Sequence, residues 1–432
     1  MPIDWDTVPA PGAAGRELHE LMTELFPIPR SLTGEGVRST LAVLARELPI
    51  EVVETPTGTE VFDWKVPREW TIRDAWLEDA AGQRILQLAD STLHVVGYSV
   101  PVDMTLSLEE LEEHVFTHPS DDALVPYRTS YYEERWGFCM SRHQLESLAP
   151  GTYRAVIDST LADGSLTSGE VRIAGAEQNE VLLSTYVCHP ALANDNLSGV
   201  ALLWAIGRVL LEQDLRYTYR LLWSPGTLGP LSWLARNLDA LDRIQNGLVV
   251  CCVGDPGPLR YKSSRRGNAL VDRAGAYLLG REPSSIVTSW EPLGGDERQF
   301  CSPGFDLPVG VLSRTPHGLF PEYHSSADNL EFVTPEALDG AFRTALELID
   351  LIETNRSYRN LSPHGEPQLG RRGLYQSVPD GTNPEAALLW VLNLSDGDHD
   401  LLGIAERSGI PYSAVRDAAA TLESHGLLEH AD

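Results

Sequence analysis

The chain has 432 residues and a formal charge of −29 at pH 7, with 42% hydrophobic and 8% aromatic residues. This length suits two or three domains, and the composition is typical of globular proteins with a substantial core. Binding to nucleic acid or to an anionic membrane depends on clustered Lys and Arg, so the acidic balance argues against both as partners.

The N-terminal residues and the cysteines indicate the compartment. The start of the chain has neither a basic segment nor an apolar core, so we expect no signal peptide. No apolar run approaches the length of a membrane span. The five cysteines are odd in number and lie mostly in apolar segments, as reduced core thiols do. We therefore predict a cytoplasmic protein.

The pattern of the first 150 residues changes near residue 50. Residues 1–50 show helical leucine periodicity, which predicts an N-terminal helical part of the main domain. Residues 51–150 alternate short β-type pieces with turns, which predicts an inserted β-rich domain. Within it, residues 127–132 are unusually polar for a core. They either pack in this small domain or form a lid in which Arg128 and Tyr131 contact the substrate, Arg128 through a carboxylate.

Residues 151–365 alternate strands with helices, which predicts an α/β domain with a largely parallel central sheet. An apolar strand over Val181–Val187 leads to His189. Asp195 follows six residues later, before a helix predicted over Val200–Leu211. The carboxyl ends of strands form the edge where α/β sheets bind ligands, and imidazole and carboxylate groups both suit zinc. The plainer interpretation is a loop histidine followed by a helix cap.

Two later segments offer groups that match this one. Asp296 and Glu297 follow a strand-like stretch at residues 285–289, and a second histidine, His324, is followed four residues later by the carboxylate of Asp328. If both segments meet His189 at the sheet edge, together they supply the imidazoles and carboxylates of a zinc site.

Other residues near these segments have weaker claims to a functional role. A histidine beside Pro and Gly, such as His317, is more often structural than a ligand. Cys188 is adjacent to His189, but neighbouring strand residues point to opposite faces, so core packing is favoured. Charged loops are usually only solvated, yet three arginines could bind an anionic substrate group: Arg265, Arg266 and Arg314.

Residues 366–432 are predicted to form a linker and a winged-helix domain. The stretch Asn360–Pro384 is rich in Pro, Gly and Asn, and three helical patterns follow it, with a short turn at Gly409–Pro411. From Pro384 onward there are nine acidic residues and two basic ones, a net charge of −7. This charge favours protein contact, through dimerisation or docking of a partner, over DNA binding.

The chain as a whole resembles the co-catalytic zinc aminopeptidases. More closely, it is similar to a bacterial group of aminopeptidase-like proteins with a C-terminal winged helix, whose members often occur near polysaccharide or natural-product biosynthesis. The stretches that carry the resemblance span nearly the whole chain: Leu93–Ser99, Tyr127–Tyr132, Trp136–Cys139, Thr185–Pro190, Asp296–Cys301 and Glu322–Ser325.

The resemblance implies a central mixed sheet flanked by helices, with zinc as cofactor. In that family His189 and His324 would be imidazole ligands, and Asp195 the carboxylate that bridges two metals or serves one. Asp296 matches a further carboxylate ligand. Three protein ligands plus water are typical of a catalytic zinc, whereas a closed shell of four is structural.

One motif departs from the family. Zinc aminopeptidases have a Glu-Glu pair that supplies the general base and a ligand for the second zinc, and close relatives of this chain would have Glu-Thr. This chain has Gly226 and Thr227. Hydrolysis has been lost and binding kept, or Glu297 or Glu322 replaces the base, or the substrate's own carboxylate or amine takes the proton. A positioned base contributes roughly 10²–10⁴-fold, so its loss is severe without abolishing activity.

The leading hypothesis is zinc-dependent hydrolysis of an amide or peptide bond in a small amino-acyl metabolite. Its chief rival is a catalytically impaired protein of the same fold that binds an amino-acyl ligand or a partner in a biosynthetic pathway. A transcription factor with an aminopeptidase-like sensor domain is a weaker third hypothesis. The winged helix would serve a homo-oligomer or a protein partner in the first two.

Overall fold

A computed structural model describes residues 2–374 and 384–431. Residues 375–383, part of the predicted linker, lie outside the described residues. The chain divides into two compact units, one of residues 3–346 and a second that begins at Glu347. In the part of the chain that is described, no helix combines the length and the apolar character needed to cross a membrane.

The described residues form nineteen strands and twelve α-helices. In chain order the strands are β1 (Glu51–Pro56), β2 (Glu60–Val61), β3 (Trp64–Lys65), β4 (Glu69–Asp79), β5 (Arg84–Gln87), β6 (Val102–Ser107), β7 (Val115–Phe116), β8 (Phe138–Cys139), β9 (Thr152–Ala162), β10 (Ser165–Ile173), β11 (Glu180–Tyr186), β12 (Thr218–Ser224), β13 (Ile244–Val250), β14 (Arg260–Lys262), β15 (Ile286–Thr288), β16 (Val309–Ser313), β17 (Ser357–Asn360), β18 (Asp396–Asp400) and β19 (Leu428–His430). The helices are α1 (Ala13–Leu25), α2 (Glu35–Leu44), α3 (Leu108–Glu112), α4 (Arg142–Glu146), α5 (Ser198–Leu211), α6 (Leu228–Arg236), α7 (Leu270–Leu279), α8 (Glu297–Phe300), α9 (Pro335–Thr354), α10 (Pro384–Leu394), α11 (Leu401–Ser408) and α12 (Tyr412–Ser424).

An eight-stranded mixed sheet forms the centre of the first unit, in the order β1-β10-β12-β11-β13-β16-β14-β15. The four middle strands, β12, β11, β13 and β16, run parallel to one another. Strand β10 joins β12 in antiparallel pairing, and β1 joins β10 in the same way. The predicted α/β class with a central mixed sheet is confirmed. Because the middle strands are parallel, their carboxyl ends meet at one edge of the sheet.

Strand β11 is buried along its whole length, as expected for a strand that is covered on both faces. Its one charged residue, Glu180, forms ion pairs with Arg220 on the adjacent strand β12 and with Arg172 on β10, the next strand beyond it. Helix α5, with twelve of its fourteen residues buried, packs against β11. The strand and this helix therefore hold the loop between them firmly in the interior.

The β-rich part contains a four-stranded antiparallel sheet in the order β5-β4-β9-β6. Its core includes Trp70 and Tyr98, whose rings stack with centroids 5.8 Å apart. Strand β9 belongs to this sheet although it lies after residue 150, and β1 belongs to the central sheet although it lies after residue 50. Sheet membership therefore does not follow the boundaries predicted at residues 50 and 150, because apolar patterning identifies strands but not their partners.

The second unit contains helices α10 to α12 and a three-stranded antiparallel sheet in the order β18-β17-β19. This is the predicted winged-helix domain. The side chain of Asp400 caps α11 by accepting a hydrogen bond from Gly403 N at 2.7 Å. The same helix ends at Gly409, whose φ of 72° favours a residue without a Cβ atom.

Candidate metal centre

The candidate site lies where β11, β12 and β13 end, at the carboxyl edge of the central sheet. His189 follows the end of β11 by three residues, Gly226 follows β12 by two, and Cys252 follows β13 by two. Strands β11 and β12 are paired in register up to their last residues, Tyr186 and Ser224. Residues that follow the two strands are therefore neighbours in space.

Three of the four predicted metal ligands meet at this edge. His189, Asp195 and His324 each offer one ligand atom, and these atoms all lie within 4.8 Å of one another. The His324 Nε2 atom is 3.0 Å from the Asp195 Oδ2 atom, and the two imidazole rings are 5.3 Å apart between centroids. Asp195 is completely buried. A carboxylate and two imidazoles in this arrangement form a ligand set that zinc prefers.

Two of these ligand atoms have no hydrogen-bond partner among the described residues. Asp195 Oδ2 and His324 Nε2 are both buried, and their approach of 3.0 Å does not have the geometry of a hydrogen bond. A buried polar atom without a partner is costly to the fold, typically about 1–3 kcal/mol. A cation bound between the two atoms would satisfy both, so the residues fit a metal ion.

The protonation states at the site also suit a metal. Burial lowers the pKa of His189 to about 4, so its imidazole is neutral and has a free lone pair. Burial alone would raise the pKa of Asp195, but the neighbouring imidazoles of His189 and His324 outweigh it and hold this pKa well below its usual value. Metal ligands must be deprotonated, and both residues meet this requirement at neutral pH.

The backbone of Asp195 is fixed by a second carboxylate, Asp328. Its Oδ1 and Oδ2 atoms accept hydrogen bonds from Asn194 N at 2.6 Å and from Asp195 N at 2.9 Å. The carbonyl of Asp328 also accepts a hydrogen bond from Ala193 N at 3.0 Å. Such outer contacts orient a ligand and are typical of metal sites. The sequence placed an Asp four residues after His324 but gave no sign of this role.

The two asparagines beside Asp195 attach the loop to the strand ends. Asn196 Nδ2 donates to Tyr186 O at 2.9 Å, and its Oδ1 accepts from Cys252 N at 3.1 Å. Asn194 Oδ1 accepts from Gly254 N at 2.9 Å. The plainer interpretation of this loop as a helix cap is wrong, because the first residue of α5, Ser198, has no side-chain cap before it.

Tyr186 makes a contact that the sequence did not predict. Its hydroxyl donates a short hydrogen bond to Asp195 Oδ1 and lies 2.6 Å from His317 Nε2. Burial raises the pKa of Tyr186 well above its usual value, so the hydroxyl keeps the proton that it donates. His317 also forms a group with Cys251 and Cys252, whose ligand atoms lie within 4.8 Å of one another. One Asp195 oxygen is therefore occupied and the other is free.

Asp296, the fourth predicted ligand, lies outside the His189–Asp195–His324 group. Its Oδ1 accepts a hydrogen bond from Thr227 N at 2.8 Å, and burial raises its pKa to about 7. Gly226 N donates to Cys188 Sγ at 3.3 Å. Gly226 and Thr227, which replace the family's Glu-Glu pair, thus present backbone N–H groups. The resemblance to the family had predicted carboxylate side chains at these positions.

The two glutamates predicted as substitute bases differ in their surroundings. Glu297 is buried, and its Oε1 accepts a hydrogen bond from Lys262 Nζ at 2.7 Å. Glu322 is half-buried, and its carbonyl accepts hydrogen bonds from the backbone and hydroxyl of Ser325. The charge of Glu297 is therefore compensated by an adjacent lysine.

The predicted lid segment lies against the metal group. Tyr127 N donates to His324 O at 2.8 Å, and the Tyr127 ring stands edge-on to the rings of His189 and His324, with centroids 5.3 and 4.9 Å away. The hydroxyls of Tyr127 and Tyr131 are 3.4 Å apart. Tyr131 and the exposed Arg128 line a cavity of about 880 Å³.

The other predicted substrate arginines are engaged elsewhere. Arg265 and Arg266 both pair with Asp306, at 2.7 and 3.4 Å. Arg314 donates from three nitrogens to the backbone carbonyls of residues 253, 257 and 337. These bonds hold the surrounding loops together, and a role for Arg314 in substrate binding stays a prediction.

Comparisons with known proteins agree on the family. A model described as "Domain of unknown function (DUF4910)" matches residues 19–355, and one described as "winged helix-turn-helix" matches residues 356–430. A Clostridium acetobutylicum protein named "Putative polysaccharide biosynthesis protein with aminopeptidase-like domain" is 45% identical over 419 residues, which cover 96% of each chain.

Two solved structures resemble this chain, one at high and one at low sequence identity. The crystal structure of a "putative peptidase" from Clostridium acetobutylicum is 44% identical, with a TM-score of 0.92, over 97% of each chain. BSAP, a zinc aminopeptidase from Bacillus subtilis, is 13% identical with a TM-score of 0.55, over 78% of this chain and 94% of that one. At that identity, the second comparison shows an aminopeptidase-like fold and no more.

Proposed function

The chain belongs to the DUF4910 family, which here joins an aminopeptidase-like fold to a C-terminal winged helix, and from this premise we propose a zinc-dependent hydrolase that cleaves an amide bond in a small amino-acyl metabolite. One observation carries the proposal. His189, Asp195 and His324 meet at the sheet edge, and two of their buried ligand atoms lack hydrogen-bond partners among the residues described.

Zinc held by these three residues would polarise the substrate carbonyl and lower the pKa of an attacking water. The chain's own residues prepare the site for this chemistry. Asp328 fixes the backbone at Asn194 and Asp195 through two hydrogen bonds, and Tyr127 packs edge-on against both imidazoles. Arg128 would bind a substrate carboxylate from the cavity that it lines. Glu297 and Glu322 remain the bases predicted from the sequence.

We expect one zinc per chain rather than two. Asp195 Oδ1 already accepts the Tyr186 hydroxyl, so only Oδ2, on the side of His324, is free to bind a metal. Thr227 stands where a ligand for a second zinc would stand, and a neutral hydroxyl is a poor zinc ligand. Asp195 would therefore serve one metal and not bridge two.

The name of the Clostridium acetobutylicum relative supports a place for this protein in biosynthesis, as does the resemblance seen in the sequence. The winged helix, with a net charge of −7 from Pro384 onward, favours contact with a protein over contact with DNA. We therefore propose that this domain docks a partner protein or a second copy of the chain.

The test of the proposed metal is the zinc content of protein purified without added metal, for the native chain and for His189→Ala. We expect about one zinc per native chain and little in the variant, since a ligand is lost. The exposed His364 provides a matched control, and His364→Ala should keep its zinc. A native protein that remains empty after zinc is offered would refute the zinc enzyme.

A second candidate function is favoured by Gly226, which has no side chain where the family's base is expected. In that case the protein binds an amino-acyl ligand or a partner without cleaving it. Gly226→Glu separates the two candidates in a cleavage assay with aminoacyl p-nitroanilides. Cleavage by the native chain supports the hydrolase, and cleavage by the variant alone supports a binding protein.

A further inference from the structure

The space beside Gly226 is open to a side chain. A Cβ atom built on Gly226 would lie 3.5 Å from Cys188 Sγ and 3.8 Å from both Asp296 Oδ1 and Tyr186 Cβ. These are ordinary van der Waals distances, so nothing in the surroundings forces glycine at this position. Whatever carries out the chemistry of the missing side chain must therefore reach this space from another part of the chain.

Asp296 is the carboxylate that borders this space. It is 3% exposed, and Thr227 N holds its Oδ1 at 2.8 Å. Its second oxygen, Oδ2, is buried and has no hydrogen-bond partner within the described ranges. A fully buried carboxylate with one oxygen anchored and the other free is oriented for a further ligand or proton, because leaving it unsatisfied is otherwise costly.

The neighbouring glutamate is less suited to the same role. Lys262 donates to Glu297 Oε1 at 2.7 Å and also to the carbonyl of Leu293 at 2.6 Å, so the lysine is held in place beside the carboxylate. Neither oxygen of the Glu297 carboxylate is among the three atoms nearest to a Cβ built on Gly226, whereas Asp296 Oδ1 is.

We propose that the carboxylate of Asp296 acts as the general base in place of the missing side chain at position 226. This inference rests on the proposed hydrolase function and names one of its catalytic residues. As the water oxygen forms its bond to the substrate carbonyl carbon, Asp296 Oδ2 accepts the proton that leaves the water. When the C–N bond breaks, the same proton passes to the departing nitrogen, and Asp296 is again ionised.

The experiment compares four proteins: the native chain, Asp296→Asn, Gly226→Glu, and the double variant Asp296→Ala with Gly226→Glu. Cleavage of a panel of aminoacyl p-nitroanilides and zinc content are measured for each. We expect Asp296→Asn to lower kcat by roughly 10²–10⁴-fold with little change in KM, and to keep its zinc. The double variant should recover at least tenfold over Asp296→Asn, because it returns a carboxylate to the same space.

Asp306→Asn is the matched control, since this half-buried aspartate pairs with Arg265 and Arg266 and not with the metal group. It should cleave at the native rate. A loss of zinc in Asp296→Asn would overturn the inference and make Asp296 a metal ligand. Unchanged kcat in Asp296→Asn would also overturn it.

Two further outcomes separate this inference from the proposed function. If the native chain is inactive and Gly226→Glu is active, Asp296 does not replace the base, although the hydrolytic site is intact. If neither protein cleaves any member of the panel, the proposed hydrolase fails, and the inference fails with it.

Discussion

Two corners of the site lie at the same sheet edge but are built by different parts of the chain. The metal corner comprises His189, Asp195 and His324, and the base corner comprises Gly226, Thr227 and Asp296. In the metal corner the side chains supply the ligand atoms, and buried side chains fix the backbone beneath them. In the base corner, the residues after β12 contribute only backbone N–H groups.

This difference shows which features of the site can change without destroying it. A metal ligand needs a suitable donor atom that points at the metal. Each ligand therefore depends on a loop whose backbone is held in place by other contacts. A general base needs only one carboxylate oxygen within reach of the water, whichever strand it follows. Under the proposed mechanism, the base corner would therefore keep its function after losing a side chain, whereas the metal corner would not.

The largest effect is expected where the metal corner is anchored. In Asp328→Asn, one of the two backbone N–H groups of Asn194 and Asp195 would face an amide N–H group in place of an oxygen. Loss of such an outer contact typically costs roughly 10–100-fold in metal affinity. Competition with a zinc chelator of known affinity measures this change.

Asp339→Asn provides the control for this prediction. Like Asp328, Asp339 is a buried aspartate that accepts a hydrogen bond from a backbone N–H group. It pairs with Arg343 and takes no part in the metal corner. Its zinc affinity should equal that of the native chain. Equal affinity in Asp328→Asn as well would mean that the metal corner does not depend on this anchor.

The sequence predicted the metal corner better than the base corner. Each ligand of the metal corner stands in a motif at the end of a strand or loop, so His189, Asp195 and His324 could be named from local pattern and family resemblance. Contacts between distant segments left no such pattern. The anchoring by Asp328 and the hydroxyl of Tyr186 beside Asp195 depend on how the loops fold back on one another.

The same limit applies to the fold. A largely parallel sheet was predicted because apolar strands alternate with helices, the family resemblance implied a mixed sheet, and the mixed α/β fold is confirmed. The sheet partners of β1 and β9 were not predicted, since both strands carry patterns that suit either sheet. Helix α5 begins two residues before its predicted start, because Ser198 Oγ donates to the carbonyl of Asn194 at 2.7 Å and extends the helix towards the ligand loop.

A smaller effect is expected for Tyr186→Phe, which tests whether one Asp195 oxygen is reserved. Removing the hydroxyl frees Asp195 Oδ1 and leaves His317 without this contact. Cys252 Sγ lies 4.0 Å from the same oxygen. We expect the variant to keep its first zinc and to bind a second one only weakly, because Asp195 Oδ1 is then unoccupied, whereas burial raises the pKa of the nearby Cys252 thiol well above its usual value and so opposes its binding as a thiolate. Calorimetric titration of metal-free protein with zinc counts the sites, and a single site in the variant would show that Tyr186 does not limit the number of metals.

The smallest effect is expected for Cys188→Ser, a substitution beside the base corner. Cys188 is adjacent to a proposed zinc ligand, and its Sγ atom is 3.8 Å from His189 Nδ1. Burial raises the pKa of Cys188 to about 12, so the buried group is a neutral thiol, whereas zinc requires a thiolate. Its Sγ atom accepts a hydrogen bond from Gly226 N at 3.3 Å.

A serine hydroxyl at this position can accept the same hydrogen bond, which contributes about 1 kcal/mol. We therefore expect Cys188→Ser to keep about one zinc per chain and to change kcat/KM by less than about threefold, within what that single bond could account for. The measurement is zinc content together with cleavage of the aminoacyl p-nitroanilides. If zinc is lost, Cys188 is a ligand, and the metal corner extends into the base corner. If zinc and activity both persist, the two corners are separable, because a change beside His189 then affects neither the ligand set nor the carboxylate of Asp296.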